Sequence, residues 1–166
     1  MNSTVFTPRI SAGSKPVLRF AEEFRHVRFS NTASIPQICS DLAAAISTMD
    51  NSIFSEQSGL YLSTSDAGIK TSVIFWEEAL EHGPGLVGPR LFPWTLANGP
   101  ATCLARELGL KGPNITLVGG LDILEQLQDM AIDDLQKERV ENCLVVYLCL
   151  NDGEAFVYLK GKKIEP

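Results

Sequence analysis

The run Cys143-Leu144-Val145-Val146-Tyr147-Leu148-Cys149-Leu150 is hydrophobic at every position and carries no charge, and no other stretch constrains the fold as strongly. A strand with one wet face alternates apolar and polar residues. A strand apolar at every position must be covered on both faces, which places it at the centre of a layered sheet. Four amphipathic stripes supply the cover. A helix begins near Ser34, with Pro36 in its first turn and Ile38, Leu42, Ile46 and Met49 inward. Ile69, Val73, Trp76 and Leu80 predict a second inward face, opposite Glu77, Glu78 and Glu81. Ala97, Ala101, Leu104 and Leu108 mark a helix rich in small residues, and Leu124, Leu127, Ala131 and Leu135 mark a fourth.

Shorter strands lie between these helices. Thr4–Ile10 is a weak candidate because of Pro8, whereas Gly59–Ser65 and Ile115–Val118 are clearer. Asn151-Asp152-Gly153-Glu154 is a hairpin signal that turns the chain into a final antiparallel strand, Ala155–Lys160. Val17–Asn31 mixes charge with aromatics and fits neither period. The order βαβααβαββ predicts an α/β domain with a mostly parallel sheet.

At 166 residues the chain is expected to form a single domain over 1–166 with a substantial core. A net charge of −6 disfavours nucleic-acid binding, and also broad docking of an acidic carrier protein. The Lys160-Gly161-Lys162-Lys163 run reads as a solvated chain end. Cys39, Cys103, Cys143 and Cys149 form no Cys-x-x-Cys pair and have no histidine at zinc-ligand spacing, so buried reduced thiols and no metal are expected. No cofactor is expected either. With no evident signal peptide and no apolar run long enough to span a bilayer, a cytoplasmic protein without membrane contact is expected.

Several motifs fail on context. Gly83-Pro84-Gly85-Leu86-Val87-Gly88 spells a dinucleotide fingerprint, but it follows a helix and runs into Pro89. Asn2-Ser3-Thr4 and Asn114-Ile115-Thr116 match the glycosylation sequon by chance. His26 and His82 are not paired in sequence with a nucleophile.

Gly119-Gly120-Leu121-Asp122 is more informative. It turns an apolar strand sharply into a helix, where the helix N-terminus stabilises an anion and many folds mount a nucleophile. Here the mounted residue is Leu121. Asp122, in the first turn, suits a capping or dipole role, and Cys103 suits helix packing; both are weak catalytic candidates.

Pro93, Thr95 and Asn98, then Ala101, then Gly109-Leu110-Lys111-Gly112-Pro113 resemble a stretch of the beta-ketoacyl synthases, the condensing enzymes of fatty acid and polyketide synthesis. The likeness extends loosely to Gly59–Thr64 and to Cys143–Leu150. In that family a Pro-x-Thr-x-x-Asn stretch precedes a helix ending in Gly-Leu-Arg/Lys-Gly-Pro, then a strand and the acyl-accepting cysteine. Counted from Gly112-Pro113, that cysteine falls on Leu121, which cannot form a thioester.

The resemblance implies a single half of a thiolase-like fold, with a five-stranded sheet of order 3-2-1-4-5 and the last strand antiparallel. The second half, with its catalytic histidines, and the long segment before the last strand would both be missing. It also implies a remnant pocket near Trp94, Thr95 and Leu121. An exposed apolar face would be offered to a partner. The helix from Leu121 to Leu135, the helix Ala97–Leu108 and the strand Ile115–Val118 are the candidate contacts, with Ile115, Leu117, Leu124 and Leu127 at the interface.

The expected function is a non-catalytic ketosynthase-like subunit. It would form a homodimer, or a heteromer with a complete ketosynthase or acyl-carrier protein. A small acyl hydrolase or transferase, or an acyl-chain binder, is the alternative.

Overall fold

A computed structural model describes residues 20–30, 32–49 and 55–162. The chain runs β1 (Phe20–Arg28), α1 (Ile35–Ser47), β2 (Gly59–Thr64), α2 (Ile69–His82), a 3-10 turn (Phe92–Thr95), α3 (Gly99–Glu107), β3 (Asn114–Val118), α4 (Leu121–Gln136), β4 (Asn142–Cys149) and β5 (Glu154–Lys162). The five strands form one sheet of order β1-β5-β4-β2-β3.

β4 lies inside the sheet, as its composition requires. It pairs parallel with β2 through Leu60↔Leu144 and Leu62↔Val146, and antiparallel with β5 through Val146↔Val157. Leu144, Val146 and Leu148 point to the face covered by α1 and α3, where Leu42, Ile46, Ala101 and Leu104 are buried. Cys143, Val145 and Tyr147 point to the other face, beneath Leu124, Leu127, Ala131 and Leu135 of α4. The result is three layers with a core on each side of the sheet.

Each packed helix has a local cause. Ser34 caps α1 by accepting the Gln37 amide, and Pro36 fits the first turn because its missing N–H has no helical acceptor there. α4 buries the four residues its stripe predicts. The Asn151–Gly153 turn, with Gly153 at φ 67°, reverses the chain into β5. Asp66, buried at the end of β2, accepts the Leu150 amide at 3.0 Å and the Asn151 amide at 2.6 Å, which ties the end of β4 to β2.

Two expectations need correction. The strand order is 3-2-4-5-1 in chain numbering, not 3-2-1-4-5: β2 pairs directly with β4, and β1 lies at the far edge, antiparallel to β5. The segment that fitted no period contains this edge strand, Phe20–Arg28, and the candidate strand Thr4–Ile10 lies outside the described residues. The physical reason is charge. Glu23, Arg25, His26 and Arg28 cannot be buried on both faces, so β1 suits only an edge. β5 opposes the other four strands, so the last strand is antiparallel as expected, but only two of the four pairings are parallel.

The second correction concerns α2. Its stripe forms on the expected helix, but Ile69, Val73, Trp76 and Leu80 are 59, 52, 65 and 84 % exposed. Ala79 is the one buried residue of that helix. The stripe faces away from the core because α2 packs mainly on the 3-10 turn, through Phe75 and Phe92 at 6.3 Å between ring centroids, and not on the sheet.

Candidate functional site

The strand-turn-helix mount predicted at Gly119-Gly120 is present. β3 ends at Val118, the Gly119 amide donates to the Thr64 carbonyl at 2.9 Å, and Gly120 occupies the N-cap of α4. A side chain at position 119 would place its Cβ 2.1 Å from Ile123 Cγ1, so the entry into α4 is tight and Ile123 would have to move aside. Gly112 and Pro113 set up the same turn from the other end of β3. A Cβ at position 112 would lie 2.5 Å from the Ser58 carbonyl oxygen, while the Pro113 carbonyl accepts the Leu60 amide at 2.8 Å. This close approach brings β3 into register beside β2.

Leu121 is the first residue of α4 and is 58 % exposed, beside Val118 at 65 %. The positive end of a 16-residue helix therefore meets solvent at a hydrocarbon. Asp122 is exposed in the same turn. Cys103 is buried on α3, in the layer on the opposite face of the sheet from α4, with Arg106 Nη2 at 3.9 Å from its sulfur. The structure does not bring these two catalytic candidates together.

All four cysteines are buried and free. Burial, reinforced by the neighbouring Cys103, pushes the Cys39 thiol up, and burial pushes Cys143 up to about 12. Burial, with a hydrogen bond to Asp152, also raises Cys149. Such thiols stay protonated and unreactive at neutral pH.

The histidines stand elsewhere. His26 lies on edge strand β1, with Nε2 3.0 Å from Glu154 Oε2 and its ring stacked on Phe156 at 4.6 Å. His82 ends α2 beside Glu81. β1 and β3 are opposite edges of the sheet, so His26 is separated from the Leu121 turn by the sheet's width. Among the described residues no group of three or more His, Cys, Asp or Glu could hold a metal ion.

The remaining motif residues build the approach to α3. Thr95 Oγ1 donates to the Phe92 carbonyl at 2.7 Å, and the Asn98 carbonyl accepts both the amide and the hydroxyl of Thr102. Trp94 lines a cavity of about 500 Å³ between α1, α2 and the 3-10 turn. Neither Thr95 nor Leu121 lines it.

Of the interface candidates, Leu124 and Leu127 are buried under α4 in the chain's own core. Ile115 and Leu117 are half-buried on β3, whose outer edge pairs with no strand among the described residues. α3 packs against α1. Sequence reasoning missed two further surfaces. One is the outward stripe of α2. The other is the part of the sheet face beyond α4, where Phe24, Phe156 and Tyr158 of β1 and β5 cluster and Phe24 is 55 % exposed. Aromatics at alternate positions of β5 were the available signal for the second.

No family model matches the sequence, and no curated protein matches it. Solved structures do match the fold. The ishigamide ketosynthase/chain length factor is 18 % identical with a TM-score of 0.61, covering 74 % of this chain and 42 % of that one. The ketosynthase ApeO in complex with its chain length factor ApeC, from Xenorhabdus doucetiae, gives 10 % identity and a TM-score of 0.61, over 79 % of this chain and 58 % of that one. A beta-ketoacyl synthase from Burkholderia phymatum STM815 gives 15 % and 0.57, over 77 % and 41 %. The chain has a ketosynthase-like fold and spans about half the length of these proteins.

Proposed function

We propose that this chain is a ketosynthase-like subunit that performs no condensation itself and works by docking a partner, either a complete ketosynthase or acyl-carrier machinery, in fatty acid or polyketide biosynthesis. The observation that carries the reading is Leu121. The strand-to-helix turn between Gly112-Pro113 and Gly119-Gly120, which the resemblance makes the place of the nucleophile, presents an alkyl group here.

The surfaces support docking. Val118 and Leu121 flank the turn, Trp76 and Leu80 stand outward on α2, and the β3 edge is unpaired among the described residues. Exposed large apolar side chains, where they form a contiguous patch, mark interaction sites on folded proteins. An unpaired parallel edge strand is a ready template for another strand. That two of the solved structures pair a ketosynthase with a chain length factor favours a heteromer over a homodimer.

The test is capture of purified partners. The chain is mixed with a complete ketosynthase and, separately, with an acyl-carrier protein, and complex mass is read by light scattering. A complex with wild type that is lost in Trp76→Asp/Leu80→Asp and in Leu121→Asp is expected. A strict monomer that binds neither partner, or thioester turnover by the chain alone, refutes the reading.

A further inference from the structure

The cavity lined by Trp94 is separate from the Leu121 turn and has walls of two kinds. Ile35, Ile74, Leu91, Trp94 and Leu150 make it apolar, while Lys70 and Arg90 bring two cations to it. At about 500 Å³ it falls within the range of small-molecule sites, roughly 300–1,000 Å³. Its frame is fixed before any ligand arrives. Gly68, at φ 87°, lets the Thr95 carbonyl approach to 2.6 Å from where a Cβ would stand, and Ser72 Oγ donates to that same carbonyl at 3.2 Å. These contacts lock α2 to the 3-10 turn that carries Trp94. On the opposite wall Asp66 holds the Leu150 and Asn151 amides.

The charges do not cancel locally. Among the described residues Lys70 and Arg90 make no ion pair, in a chain whose net charge is −6. Among the described residues Asp66 is the one acid in the lining, and both of its oxygens already accept backbone amides. Two cations against one occupied carboxylate leave an excess positive charge. Gly68 adds to it, because it supplies no side chain to cap the N-terminus of α2.

We infer that this cavity binds an amphiphilic anion, a carboxylate or phosphate head on an apolar body, with the head at Lys70 and Arg90 and the body against Trp94, Ile74 and Leu91. The inference does not depend on the docking role. A cavity that stays empty in solution would leave the partner reading untouched, and the reverse also holds.

Trp94 is its own reporter. The chain has two tryptophans, so Trp76→Phe leaves Trp94 as the sole fluorophore. This protein is titrated with decanoate, decyl phosphate and the uncharged 1-decanol below their aggregation thresholds. A saturable change in Trp94 emission is expected with both anions, about tenfold tighter than with decanol, as one charge-assisted contact of about 1.4 kcal/mol gives. The tighter of the two anions identifies the head group. Lys70→Gln/Arg90→Gln changes two exposed side chains, so the fold should survive by circular dichroism. It should reduce anion affinity at least tenfold while decanol binding is unchanged. No saturable response, decanol binding as tightly as decanoate, or anion affinity unchanged in the double variant overturns the inference.

Discussion

Tyr61→Phe tests how α4, and with it the Leu121 turn, is held to the sheet. Tyr61 is completely buried on β2, and its hydroxyl donates to Asp134 Oδ2 on the last turn of α4. The other carboxylate oxygen of Asp134 accepts Arg139 Nε at 2.5 Å. Burial first, and the hydrogen bond to Asp134 second, push the Tyr61 hydroxyl well above the usual tyrosine range. Phenylalanine removes one oxygen and opens almost no cavity. The main cost is therefore an Asp134 oxygen left without its donor in a residue only 7 % exposed. A hydrogen bond to a charged group contributes about 1.5–3 kcal/mol. Water can reach part of that side chain, so about 2 kcal/mol is expected, which for a chain of this size lowers Tm by about 4–8 °C. Tyr158→Phe is the control. Tyr158 is half-buried, its hydroxyl makes no hydrogen bond among the described residues and is raised by burial alone, so its loss should cost under about 0.5 kcal/mol. Urea unfolding of both variants, with Asp134→Ala to close a double-mutant cycle on Tyr61, measures the pair. Equal midpoints for the two phenylalanine variants would refute the argument.

Leu121→Cys should introduce the one fast-reacting thiol of the native protein, because the four native cysteines are buried while position 121 is open at a helix N-terminus. Native-state labelling with a thiol reagent should count one per chain in the variant and none in wild type, and equal labelling of both contradicts the exposure assigned to Leu121. Stability should fall as pH rises above about 9 to 10, where unfolded thiols and phenols lose their protons. Cys39, Cys143 and Cys149 and all three tyrosines are raised by burial, so the folded chain then binds more protons than the unfolded one. A urea midpoint that does not change between pH 8 and 10.5 contradicts this. Gly112→Ala should cost about 1–3 kcal/mol, because its Cβ would meet the Ser58 backbone carbonyl at 2.5 Å, which cannot yield as a side-chain end does. Gly85→Ala, with open space around it, should be nearly silent in the same melt.

The parts of the fold legible in the sequence are those whose reason is local. β4 needs cover on both faces and has it; α1 carries its cap and its stripe within a few residues; the hairpin is spelled by Asn151 to Gly153. Strand order is not local. Nothing near Phe24 announces that it will face Tyr158, and β1 takes its place because its charges are tolerated only at an edge. The turn at Leu121 was legible because glycine permits close approach, at 112 of a backbone carbonyl and at 119 of the Ile123 side chain. The cavity was not legible, since its walls come from four separate segments and its cations have no motif. A helical stripe is a weaker signal than it looks: it says that a face will be covered, not by what.

That last point joins the two halves of the functional argument. Ile69, Val73, Trp76 and Leu80 have the spacing of a core face and the exposure of a surface one. Burying a large aliphatic or aromatic side chain stabilises by about 1.5–3 kcal/mol, so covering even two of them, such as Trp76 and Leu80, outweighs the ordering of a few interface side chains. The turn behaves the same way on a smaller scale. A lost nucleophile replaced by serine or aspartate would leave a site adapted to water, whereas Leu121 beside Val118 favours a dry neighbour. Polar substitution at Leu121 should therefore leave the melting temperature of the isolated chain within about 1–2 °C, because an exposed surface change costs little on its own, yet weaken partner capture at least tenfold. If Leu121→Asp instead unfolds the chain, the leucine serves the chain's own packing and the turn is not a docking surface.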